Sequence, residues 1–158
     1  MGLQTDLTYL HMNAGTAIDR MNRGLRQWSR KPTDLDLAKR MTSNLAAIAV
    51  RLRRDLEAFF SREREELLPR VRRILGSDVA EVQRLASLQG MVLTALDRFI
   101  VTLTEDIPED ATDRHVHLTN LKRLFLEFVE RYEMRCDADR LFYQTYSTML
   151  YPGGLATE

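Results

Sequence analysis

The sequence predicts an all-α chain folded as an up-down-up-down four-helix bundle. Three observations carry this expectation. Apolar residues recur at helical spacing over nearly the whole length, strand-like alternation is absent, and turn-forming residues gather in "RKPTD" (30–34), "GSD" (76–78) and "EDIPEDATD" (105–113). Connections this short favour antiparallel packing of consecutive helices.

The first helix is expected from about Asp6 to Ser29, with Leu7, Leu10, Ala14, Ile18, Met21, Leu25 and Trp28 on one face. The second starts after Thr33, whose hydroxyl is a suitable N-cap, and runs to about Leu75. Gly76 then serves as a left-handed C-terminal residue. Its stripe contains Leu45, Leu52, Leu56, Phe59, Glu63 and Leu67, and Pro69 is expected to kink it or end its straight part because proline removes a hydrogen bond to the Glu65 carbonyl. Asp78 and Glu81 have capping-box spacing for the third helix. The fourth begins near Asp113, with Leu118, Leu121, Phe125, Phe128, Val129, Tyr132, Cys136, Tyr143 and Tyr146 on its stripe.

With 158 residues, 44% of them hydrophobic, the chain suits one domain over residues 1–150, followed by a short frayed tail, "YPGGLATE" (151–158). Twenty-three basic and 23 acidic residues cancel, and Arg51, Arg53, Arg54 and Arg62 are interleaved with carboxylates, so a nucleic-acid partner is not expected. The i,i+4 pairs Arg53/Glu57 and Arg62/Glu66 fit a solvated helix face. The single Cys136 leaves no intrachain disulfide and points to a reducing cytoplasm. No apolar run looks long enough for a membrane span, and "MGLQTDLTYLHMN" lacks the basic start and apolar core of a signal peptide. A cytoplasmic protein without a membrane partner is therefore expected; a second copy of the chain or another protein remains a possible partner.

The informative residues interrupt the apolar stripes from inside. Glu63 lies mid-stripe on the second helix, Gln89 lies between Val82, Leu85, Val92 and Leu96 on the third, and Tyr132, Cys136 and Asp139 lie on the fourth. Glu63 and Gln89 are each thirteen residues from Gly76, which puts them at one height in antiparallel helices, and counting across the next turn brings 132–136 near that layer. The same count leaves His11 about two turns away. A polar layer of this kind is either a hydrogen-bonded network that fixes helix register or a ligand site. His115 and His117, two apart on a helix, point about 200° away from each other and are expected at the surface or in a cap. Cys136, on an apolar face with no neighbouring His, is expected to be a buried, inert thiol.

The segment "FFSREREELLPRVRRIL" resembles the hemerythrin-like (HHE cation-binding) pattern, His-x-x-x-Glu followed by a Leu-Phe-Pro or Leu-Leu-Pro triplet. In that register Glu63 stands at the bridging carboxylate, "LLP" (67–69) at the triplet, and Phe59 where a His ligand belongs. "LHMNAGTAIDRM" resembles the family's first helix with His11 at the ligand position. "LQGMVLTALDRF" resembles the third with Gln89 replacing its His. "FVERYEMRCDADRLFYQTYSTML" resembles the fourth in either of two registers. The ligand positions fall on Glu133 and Asp137, or on Tyr132 and Cys136, and stripe geometry favours the second pair.

The resemblance implies an ancestral centre of two oxo-bridged iron ions, held mostly by histidines. Here those positions are largely replaced by Phe59, Gln89 and Tyr132 or Glu133. The expectation is a binding or regulatory module without a resident cofactor, rather than an enzyme, in an oxygen, nitric oxide or redox-stress context. The rival expectation is a carboxylate-rich non-heme iron or manganese site, di-iron or mononuclear, built from His11, Glu63, Glu133 and Asp137.

Overall fold

In the computed structural model, which describes residues 3–76 and 80–150, the helical periodicity becomes long helices with no strand among the described residues. The elements are α1 (Leu3–Ser29), α2 (Leu35–Arg62), a π-helical turn (Glu63–Leu67), α3 (Leu68–Leu75), α4 (Ala80–Leu103) and α5 (Ala111–Leu150). The π turn and α3 continue α2 without an intervening loop, so the chain has four long helical spans. α1 packs on α2, α2 on α4, α4 on α5 and α5 on α1. One apolar core runs between them, from Leu7 and Trp28 through Leu45, Leu56 and Phe60 to Val92, Phe99 and Phe128.

The helix ends follow from local chemistry. Asp34 rather than Thr33 caps α2, its carboxylate accepting the Leu37 N–H at 2.9 Å. Asp110 receives the Asp113 N–H at 3.0 Å at the start of α5, two residues earlier than the sequence suggests. Arg114 ties the two neighbouring turns together by donating to the carbonyls of Thr33 at 2.9 Å and Pro108 at 3.2 Å. Gly76 closes α3 with φ 96° and ψ 171°. The positive φ needs glycine, but this is an extended backbone and not the left-handed helical cap expected. The Asp78 capping box and the tail beyond Leu150 lie outside the described residues.

Pro69 produces a π turn in place of a sharp kink. The Leu68 N–H reaches the Glu63 carbonyl five residues back, and Pro69 opens α3, where its missing N–H costs little. The wide turn leaves Glu63, Leu67, Leu68 and Val71 all buried.

α4 corrects another expectation. By length and composition it is a helix apolar enough to cross a membrane. In the fold Val82, Leu85, Leu88, Val92, Leu96 and Phe99 along it are buried in the protein core.

Candidate functional site

The interior polar layer is centred on Glu63, which is 1% exposed. The π turn aims its carboxylate into the space between α4 and α5. Gln89 of α4 donates Nε2–H to Glu63 Oε1 at 2.8 Å, and the Tyr143 hydroxyl of α5 donates to Oε2 at 3.3 Å. Arg135 of α5 donates from Nη2 to Oε1 in a short ion pair. Three protein donors from two helices thus satisfy a carboxylate that would otherwise be buried without partners.

Arg135 is itself 1% exposed. Its Nε donates to Asp139 Oδ1 at 2.7 Å one turn on, Nη1 approaches the Leu85 carbonyl at 3.4 Å, and the guanidinium carbon lies 4.8 Å from the Phe60 ring centre. Burial works against its charge, but Glu63 and Asp139 more than offset that and hold Arg135 above the ordinary arginine range. Asp139 is 2% exposed. Burial raises its pKa to about 7; the Arg135 charge opposes the rise and the Glu63 carboxylate adds to it. One guanidinium faces two carboxylates, and Asp139 bears the surplus.

A second cluster adjoins this one where α1 meets α5. His11 Nδ1 lies 2.7 Å from the Tyr132 hydroxyl and 3.4 Å from Cys136 Sγ, and His11 Nε2 lies 3.8 Å from Asp139 Oδ2. His11 therefore stands next to the layer, although residue counting put it two turns away from Glu63; the residues it meets on α5, from Tyr132 to Asp139, themselves span about two turns. Burial lowers the His11 pKa, and the charges of Arg135 and Arg140 lower it further. Burial pushes the Cys136 thiol up to about 11 and raises the Tyr132 phenol well beyond its ordinary value. His11, Tyr132, Cys136 and Asp139 line a cleft of about 500 Å³ between α1 and α5.

The structure brings His11, Glu63, Gln89, Tyr132 and Cys136 to these adjoining clusters, with Phe59 buried in the core on the stripe of Glu63. It does not bring Glu133 and Asp137 there. Both are exposed, and Asp137 faces Arg140 at 3.8 Å, because α5 turns the 132/135/139 stripe inward and carries these two residues to its outer side. Arg135 is the functional residue that sequence reasoning missed. Its signal was its spacing, three residues after Tyr132 and four before Asp139, on the buried stripe of α5. His115 is exposed and His117 half-buried, away from both clusters.

A centre of two iron ions does not fit these residues. Arg135, Gln89 and Tyr143 already occupy both Glu63 oxygens, Phe59 and Gln89 offer no imidazole, and Glu133 and Asp137 are exposed on the outer side of α5. Among the described residues no group of three or more His, Cys, Asp or Glu side chains is placed to hold a metal ion. Compared with known proteins, the chain matches no family model, no curated protein and no solved structure.

Proposed function

We propose that the chain is a hemerythrin-like, up-down-up-down four-helix bundle that has exchanged its metal for an internal guanidinium and works as a cytoplasmic binding or regulatory module rather than an enzyme. The observation that carries this reading is the satisfaction of Glu63 by Arg135, Gln89 and Tyr143. A carboxylate kept at the ligand position and neutralised by a side chain has no call on a metal ion. The order of the helices, their short connections and the closed ring of neighbours α1, α2, α4 and α5 support the bundle. The oxygen, nitric oxide or redox-stress setting follows from the resemblance of "SREREELLP" and its flanks alone.

The test is elemental analysis and an ultraviolet-visible spectrum of protein expressed with added iron. The expected result is no metal above trace and a melting temperature unmoved by iron or manganese. Near-stoichiometric iron that disappears in a Glu63→Ala variant would overturn the reading.

A further inference from the structure

We propose that the cleft between α1 and α5 binds a small organic amine, its ammonium held between Asp139 and His11 and its apolar body against Leu7, Tyr132 and Tyr143. The proposal rests on the reading of the chain as a binding module and names the class of ligand.

The charge count is the first argument. Arg135 is shared between Glu63 and Asp139, so the interior holds one carboxylate more than it holds cations. Asp139 spends Oδ1 on Arg135. The nearest polar partner of Oδ2 is His11 Nε2 at 3.8 Å, too far for a hydrogen bond. A 98% hidden carboxylate thus presents an under-partnered oxygen to a cleft, and a cation is the complement that relieves it.

Neither nearby base supplies that cation from within the protein. Burial and the Arg135 and Arg140 charges keep His11 towards its neutral form. Arg140, at the rim, is 70% exposed and turned to Asp137. A neutral His11 with its proton on Nδ1, donated to the Tyr132 oxygen, leaves the Nε2 lone pair facing Asp139 Oδ2. Two acceptors 3.8 Å apart are within reach of two N–H bonds of one ammonium.

Shape and lining agree. The volume, about 500 Å³, falls within the range of roughly 300–1,000 Å³ usual for small-molecule sites. The walls combine an aliphatic side chain with two tyrosine rings, surfaces that accept an alkyl or aryl body and favour a nearby cation. A carboxylate ligand would meet the surplus negative charge. A neutral alcohol would gain hydrogen bonds without relieving it.

The test is calorimetric titration of the purified full chain with 2-phenylethylamine, 2-phenylethanol and 3-phenylpropionate at pH 8, above the Asp139 value of about 7, so that its carboxylate is ionised and the amine is still protonated. Saturable one-site binding of the amine is expected, at least about tenfold weaker binding of the alcohol, and none of the carboxylate. Asp139→Asn should lose at least about tenfold in amine affinity, while Asp137→Asn, on the exposed face, should lose none. Gln144→Trp changes an exposed rim residue and should block the cleft without touching the interior; it decides the matter if Asp139→Asn fails to fold. No saturable binding to wild type, equal affinity for all three probes, or full amine affinity in a folded Asp139→Asn or Gln144→Trp variant would each overturn the proposal. Metal analysis of the same samples keeps the two readings separate. Stoichiometric iron with intact amine binding sinks only the metal-free reading, whereas metal-free protein that ignores the amine sinks only this one.

Discussion

The Arg135 guanidinium and the Glu63 carboxylate form an ion pair between α5 and the π turn, with both side chains 1% exposed. Asp139 makes the pair a triad, and the triad is unbalanced. Removal of its members should therefore have unequal consequences. Arg135→Met leaves two buried carboxylates without a cation and should cost about 3–5 kcal/mol. Glu63→Gln leaves Arg135 with Asp139 and keeps most of the hydrogen-bond geometry, so about 1–3 kcal/mol is expected. Urea denaturation of the two variants checks the order; equal costs would contradict the charge count. Combining Arg135→Met with Glu63→Leu should recover part of the loss, because only Asp139 of the two stranded carboxylates then remains.

Asp139 gives the pH dependence a sign. Its native pKa, raised to about 7, lies above the ordinary carboxylate value. Between these values the native state holds a proton that the unfolded chain has released. The contribution of Asp139 to stability is thus complete below about pH 4 and is lost as pH rises towards 7. His11, whose pKa is lowered, acts in the opposite sense, contributing above its ordinary value of about 6.5 and losing that contribution as pH falls. The difference between Asp139→Asn and wild type isolates the first effect. The variant should gain on wild type from pH 4 to 7, by no more than about 1.4 kcal/mol per pH unit, the limit for one proton. Melting curves at five pH values suffice, and a constant difference would refute the assignment.

Cys136 should be slow towards alkylation. Its thiol is half-buried beside His11, yet burial pushes the pKa up to about 11. At pH 7.5 the folded protein should carry on the order of a hundredfold less thiolate than the unfolded chain, with its ordinary pKa near 8.5. Iodoacetamide labelling with and without urea, followed by mass spectrometry, measures this. A native rate matching the unfolded rate would show that His11 activates the thiol after all.

The π turn should tolerate loss of a residue. Its hydrogen bonds span five residues where an α-helix spans four, so it accommodates one residue too many. Deleting exposed Glu65 should return the segment to α-helix, retain native circular dichroism and cost less than about 2 kcal/mol. Deleting Glu57, also exposed but inside regular α2, should rotate everything after it by about 100° and abolish cooperative melting. Similar outcomes for the two deletions would show that the π turn absorbs no register error.

The buried stripes were legible where a helix separates its apolar and charged faces, as α1 and α2 do. Leu45, Leu52, Leu56, Phe59, Glu63 and Leu67 are all buried as spaced. Trp28, Met21 and Leu25 likewise close one end of the core. Glu63 and Gln89 were found for the same reason, as polar letters on apolar lines, and their equal distance from Gly76 anticipated their contact. Arg135 was hidden because arginine on a charged helix reads as solvated; only a partner from another helix makes its burial favourable, and that partner is 72 residues away. Glu133 and Asp137 erred in the opposite direction. Their spacing suited a motif, but the pitch of α5 carries them outward. Asp34 displaced Thr33 as a cap through a choice between adjacent residues that periodicity does not resolve.

The cation between Glu63 and Asp139 has one more property: it is tethered. A bound ion is lost to dilution or a chelator, and its supply varies with the cell's stores. The guanidinium of Arg135 is delivered with α5 at a fixed ratio of one per chain, already beside Asp139, and only disassembly of the helices parts it from Glu63. Assembly of this interior thus needs no loading step, and its central cation is inherited with the gene.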